Sequence, residues 1–282
     1  MTTANPKSAT ALGRPPIPHE HGAWVMLYAP MIIALAARPS QNWLSIVCLF
    51  VAVTGVFLSR NVVGLIFRKR STIADRRWLA IYLIATTLTS IPLLTSNRLS
   101  ALVTVVVIAA GLFGIHSLLL TIPARKRLDR SQWGEVLAVG ALTLTAPATC
   151  IVAGYSFDPV AVCLWTACAL YFSSSIFFVK MLLAAVKVRD NFDLSRRLAI
   201  GRDNLIYHIG LTLIVVFIAV HLGGRLGLLS AIAYLPVILR AFVGWVRLSP
   251  KLPPLKRVGV METIYAVWFT VFTIVSIRIA GS

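Results

Sequence analysis

Charge is scarce in this chain, and negative charge is scarcer still. Only 13% of the 282 residues are charged, with 9 acids set against 27 lysines and arginines. A soluble domain of this size carries about 25% charged residues, so the composition excludes an ordinary water-soluble fold. Cysteine is also sparse. Cys48, Cys150, Cys163 and Cys168 all fall in apolar stretches and none forms a C-x-x-C. That excludes a disulfide framework or a zinc site by spacing and leaves four small buried hydrophobes. No nucleic-acid-binding motif accompanies the formal charge of +18, so no nucleic-acid partner is expected. Attraction to anionic lipid headgroups, about 1 kcal/mol per Lys or Arg near the surface, is reason enough for the basic residues.

What the chain has in abundance is long apolar sequence. It is 58% hydrophobic, with a mean hydropathy of +0.85. A helix needs about 20 apolar residues to cross ~30 Å of hydrocarbon. Nine stretches qualify, at about 22–37, 43–67, 78–94, 100–121, 134–153, 160–179, 205–221, 226–246 and 259–279. With the N-terminus placed in the cytoplasm, the inner segments hold 21 lysines and arginines, and the outer ones hold Arg38, Arg98, Arg225 and Arg278. Arg60 and Arg240 fall inside helices. Cytoplasmic loops carry the excess of basic residues. The pattern therefore predicts an all-α, polytopic membrane helix bundle of about nine transmembrane helices, N-terminus inside and C-terminus outside. Membrane lipids are its first partner; the oligomeric state is not encoded in any pattern.

Residues 1–18 are polar and proline-rich and read as a disordered cytoplasmic arm. Residues 19–282 read as a single transmembrane helical domain. The longest non-apolar segment is roughly 180–204. Within it, Lys187 to Arg197 mixes charge with periodic apolar residues and predicts a short amphipathic interfacial helix.

Ionisable residues inside spans are costly and usually face a cavity or a partner. Here they are Glu20, His21, Arg60, Asn61 (polar but not ionisable), His116, Glu135, Lys180, His208, Arg240 and Glu262. With odd spans running outward and even spans inward, every one lies in the cytoplasmic half. Such one-sided polarity predicts a cavity open to the cytoplasm and closed on the far side. Snorkelling of Arg60, Lys180 and Arg240 to the headgroups competes with that reading. So does dipole stabilisation of Glu20, Glu135 and Glu262 at helix N-termini.

Pro18-His19-Glu20-His21-Gly22-Ala23-Trp24 is the most specific short segment. Two imidazoles beside a carboxylate suit metal ligation or proton relay. No further ligands follow at metal spacing, so no metal is assigned. His116 and His208 on separate spans are the pair a haem would need.

The His19-Glu20-His21-Gly22-Ala23-Trp24 run resembles the opening of the YwiC-like family of bacterial integral membrane proteins. Trp133-Gly134-Glu135 with Ala146-Pro147-Ala148, and Lys256-Arg257-Val258-Gly259 followed by Glu262, resemble later blocks of that family. The resemblance implies the bacterial cytoplasmic (inner) membrane and carries no reaction with it. A more distant likeness is to the UbiA-type intramembrane prenyltransferases. It implies a four-plus-four-plus-one helix arrangement, with prominent inner loops after spans two and six. That superfamily holds magnesium with N-D-x-x-D and D-x-x-x-D motifs, because a diphosphate leaving group must be neutralised. Here Asn61 matches the first asparagine, but Val62 and Leu65 stand at the aspartate positions. Lys180 and Ala184 stand where the second motif would have acids, and Asp190 and Asp193 follow at a different spacing. No Mg2+ site is expected, and no cofactor is identified.

The expectation is a cytoplasm-facing basic cavity for an amphipathic ligand, either a lipid phosphate or a quinone-like molecule. Arg60, Asn61, His116, Lys180 and Glu262 are its ligand-binding candidates. As a UbiA-like transferase it would use Glu20, His21 or Glu135 as catalytic acid or base, with Arg60 and Lys180 as electrostatic clamps. The alternatives are a small-solute transporter, with Pro30, Pro92, Pro147 and Pro236 as helix breaks, and an accessory membrane subunit without its own site.

Overall fold

The computed structural model describes residues 15–17, 21–67, 69–94, 99–121, 132–188, 192–251 and 254–280. For His21, Phe67, 116–121 and Leu255 it describes the backbone alone. Most of the arm at 1–18, and Glu20 with it, lie outside the described residues.

Among these residues there is no strand, and ten helices make nine rods. They are α1 (His21–Ala37), α2 (Trp43–Phe67), α3 (Ile73–Leu94), α4 (Leu99–Thr121), α5 (Gln132–Thr143), α6 (Thr145–Val152), α7 (Pro159–Ala185), α8 (Leu194–Leu222), α9 (Gly224–Val246) and α10 (Leu255–Ala280). Seven segments are long and apolar enough to cross a membrane; Gly22–Ala37 and Leu99–Ile115 are shorter apolar helices. The chain is a multi-pass membrane helix bundle.

Two departures from the sequence reading have local causes. The fifth rod is broken at Leu144. Pro147 has no N–H for the carbonyl of Thr143, and the Thr145 hydroxyl donates instead to Leu27 O of α1 at 2.9 Å. The predicted interfacial helix is not a separate element. Asp193 caps α8, accepting from Arg196 N at 2.8 Å, and the helix then runs unbroken from Leu194 through the seventh apolar stretch. A capping acid ahead of charged but helix-favouring residues extends the helix well beyond its apolar part.

The chain forms two compact units: Met1–Glu20 with Asn42–Leu99, and His21–Gln41 with Ser100–Ser282. The first is built on the α2–α3 hairpin. Thr72 and Asp75 form a reciprocal cap at the start of α3, with Thr72 N to Asp75 Oδ2 at 2.7 Å and Asp75 N to Thr72 Oγ1 at 3.2 Å. Asn61 Nδ2 donates to Pro16 O at 2.9 Å.

In the second unit α7 is the central rod, packed by α1, α5, α6, α8 and α9. Its caps are strong: Pro159 at the first turn and the Asp158 carboxylate accepting from Ala161 N at 3.0 Å. Tyr171 of α7 stacks on Phe269 of α10 at 3.9 Å, and Tyr234 of α9 meets Phe269 edge-on at 5.2 Å. Both Tyr171 and Phe269 are buried. The α8–α9 turn is made by Gly223 and Gly224, both at positive φ, a conformation glycine adopts without steric cost. The outward faces of α8 and α10 carry exposed Phe217, Val220, Val267 and Val271, as lipid contact demands.

Candidate functional site

α7 fixes two ends of the second unit. Asp158 and Lys180 are 22 residues apart, about 33 Å along a helix. At the Asp158 end, Arg38 donates to the carboxylate at 2.7 Å and lies 4.4 Å from the Tyr155 ring. The hydrogen bond from Ala161 is the main cause that holds the Asp158 carboxyl below its usual range; burial opposes it, and the Arg38 charge and hydrogen bond add to the lowering. At this end the two charges are paired with one another beside an aromatic ring.

The Lys180 end is different. Lys180 pairs with Glu135 of α5 at 2.8 Å. About one and a half turns earlier in α7, Ser174 and Ser175 face α9 and α10. There Arg240 of α9 ion-pairs with Glu262 of α10, and their side chains are only 8% and 15% exposed. Ser175 Oγ donates to the other oxygen of Glu262, and Ser174 Oγ accepts from Arg240 Nη2 at 3.3 Å. The guanidinium also lies 4.4 Å from the Phe178 ring centre and 5.7 Å from that of Tyr265. Arg240 of α9 is thus held by side chains of two other helices, α7 and α10. Arginine suits such a place because its planar fork stacks on rings while pairing with a carboxylate.

Beside this pair lies a cavity of about 450 Å³. Arg240 and Glu262 line it together with Arg247, Lys251 and Arg257. Phe178, Leu182, Leu248, Val258, Met261 and Tyr265 supply apolar wall. Four cations thus face one carboxylate; with Arg240 and Glu262 neutralising one another, three cations remain, all exposed. The Tyr171–Phe269 stack lies one to two turns further into the bundle. Gly244 allows the close approach of α9 to α7, since a Cβ there would run into the Phe178 ring. The volume is within the range of small-ligand pockets, roughly 300–1,000 Å³.

The residues singled out from sequence are distributed as follows. Glu135 and Lys180 meet, and Glu262 lines the cavity. Arg60 is exposed on α2 and Asn61 holds Pro16, both in the first unit. Glu20 and the side chains of His21 and His116 lie outside the described residues. Arg240 does not snorkel; it is buried on Glu262. Arg247, Lys251 and Arg257 were legible only as orienting charges, although Arg240 and Glu262 already shared a depth. Val62, at the position of a UbiA-type aspartate, is wholly buried. Another polar group, His208 of α8, is fully buried; its Nδ1 contacts Asn204 O at 2.8 Å. Since a carbonyl only accepts, that nitrogen carries the proton. Among the described residues, no three His, Cys, Asp or Glu side chains converge as metal ligands.

Residues 17–150 match a family model described as YwiC-like protein. The matched stretch contains the His19–Trp24, Trp133–Glu135 and Ala146–Ala148 blocks; the Lys256–Glu262 block and the cavity residues lie C-terminal to it. No curated protein and no solved structure matches the chain.

Proposed function

We propose that this YwiC-like multi-pass membrane protein binds an amphipathic anion of the lipid-phosphate type, headgroup in the basic cavity between α7, α9 and α10. The observation that carries the reading is the pairing of three exposed cations, Arg247, Lys251 and Arg257, with an apolar wall in one cavity. A phosphate satisfies the first and a hydrocarbon chain the second. Arginine meets phosphate oxygens bidentately, and the apolar wall gains about 25 cal/mol for each Å² it covers. The alternating basic loops support a cytoplasmic N-terminus, which turns this cavity to the cytoplasm. Lys180 contributes from the same end by holding Glu135 rather than as a free clamp. The UbiA-type acids are replaced at Val62, Leu65, Lys180 and Ala184, so the anion is held by side-chain cations without magnesium.

The test is titration of dodecyl phosphate against the purified protein in an uncharged detergent, with and without EDTA. Arg247→Ala and Arg257→Ala are each expected to weaken binding roughly tenfold, since a charged hydrogen bond is worth about 1.5–3 kcal/mol. Chelation is expected to change nothing. Binding that disappears with EDTA and ignores both arginines would refute the reading.

A further inference from the structure

The cavity carries its own anion. Glu262 lies in the wall and already engages Arg240, the most deeply set cation of the site. The two partners are not held alike. Arg240 keeps Ser174 and the Phe178 and Tyr265 rings whether or not a carboxylate faces it. Glu262 has, besides Arg240, the Ser175 hydroxyl. Exchange of the carboxylate would leave the guanidinium in place, still presenting its fork.

Resting on the lipid-phosphate reading above, we infer that Glu262 is the specificity-determining residue of this cavity: a tethered competitor that rejects monoanionic carboxylates and admits phosphate monoesters. A tethered group acts at a high effective concentration. A fatty-acid carboxylate has the same charge and the same two oxygens as Glu262. It gains nothing at Arg240 by replacing it and would leave the displaced Glu262 without its charge partner. A phosphate monoester carries about −1.5 to −2 charge and three acceptor oxygens. It can engage Arg240 with one edge and Arg247, Lys251 or Arg257 with another, which no carboxylate does. The headgroup selected is therefore a terminal phosphate on a lipid or on a free alkyl chain. A free fatty acid is disfavoured, because its carboxylate can meet the outer cations but gains nothing at Arg240, although its chain would suit the same wall.

The experiment compares dodecyl phosphate with laurate, at pH 8 in uncharged detergent, on wild type, Glu262→Gln and Ser175→Ala. Wild type is expected to favour the phosphate by at least about tenfold. Glu262→Gln, which keeps the shape and removes the charge, is expected to raise laurate affinity about tenfold or more and so collapse the preference. Ser175→Ala loosens Glu262 without removing it and should shift the ratio in the same direction by a smaller factor. It keeps the test open should Glu262→Gln fail to fold. An unchanged laurate-to-phosphate ratio in every variant that folds overturns the inference while leaving the anion site intact. Loss of the phosphate's dependence on Arg247 and Arg257 overturns the anion site itself, and the inference with it. Vesicles containing a phosphate-terminated lipid, used in place of dodecyl phosphate, decide between a membrane and a soluble source.

Discussion

Replacing Arg240 by Met is expected to destabilise the second unit strongly. The side chains of Arg240 and Glu262 are 8% and 15% exposed, so each charge has lost most of its contact with water. Removing one partner of a buried pair costs about 3–5 kcal/mol, because the other is left uncompensated. Glu262 would retain the Ser175 hydroxyl alone, which offsets part of the loss. The expected cost of Arg240→Met is therefore about 3 kcal/mol, towards the lower end of that range. Removing both charges, in Arg240→Met with Glu262→Leu, is expected to recover most of it, since apolar replacement of a whole buried pair is often neutral. The assay is equilibrium unfolding in mixed micelles, run as a double-mutant cycle. A single-variant cost under about 1 kcal/mol with additive behaviour is what a water-exposed pair would give. It would refute the claim that this pair is desolvated.

Three further outcomes are expected. At the opposite end, Asp158 has a lowered folded-state pKa. Its contribution is thus fully present above the unfolded value of about 3.9 and lost as pH falls through the lower folded value. Asp158→Asn should flatten the wild-type loss of stability below about pH 4, and an identical acid profile in the variant would contradict this. In the α8–α9 hairpin, a Cβ at Gly227 would meet the backbone oxygen of Ala219, whereas Gly210 has nothing within 4 Å. Gly227→Ala should cost about 1–3 kcal/mol and Gly210→Ala should stabilise by up to about 1 kcal/mol, measured by the same unfolding. Finally, a reporter active only in the cytoplasm, fused after Ser282, should stay silent; a strong signal would rule out nine spans with the N-terminus inside.

The sequence by itself determined the rods. Trp43–Phe67 matches its apolar stretch at both ends, and His21–Ala37, Leu99–Thr121 and Gly224–Val246 come within two residues, whereas α3 starts five residues early and α7 ends six residues late. Helix α8 departs from its stretch because its first turns are charged yet capped by Asp193, and apolar length alone is blind to a polar extension. The break at Leu144 needed the Thr145 hydroxyl to find Leu27 of another helix, a contact between residues 118 apart. From sequence the ionisable residues are expected in the cytoplasmic half, since depth is only a count along each span. What the tertiary structure decided is which of them meet. Glu135 found Lys180, Arg240 found Glu262, and Arg247, Lys251 and Arg257 came to line one cavity. That choice depends on how each rod is rotated about its axis, 100° per residue. In a membrane, the lipid outside is as apolar as the core inside. A helix that is hydrophobic all round therefore carries no stripe to announce its inward face. Only the packing of α5, α7, α9 and α10 turned these side chains toward one another.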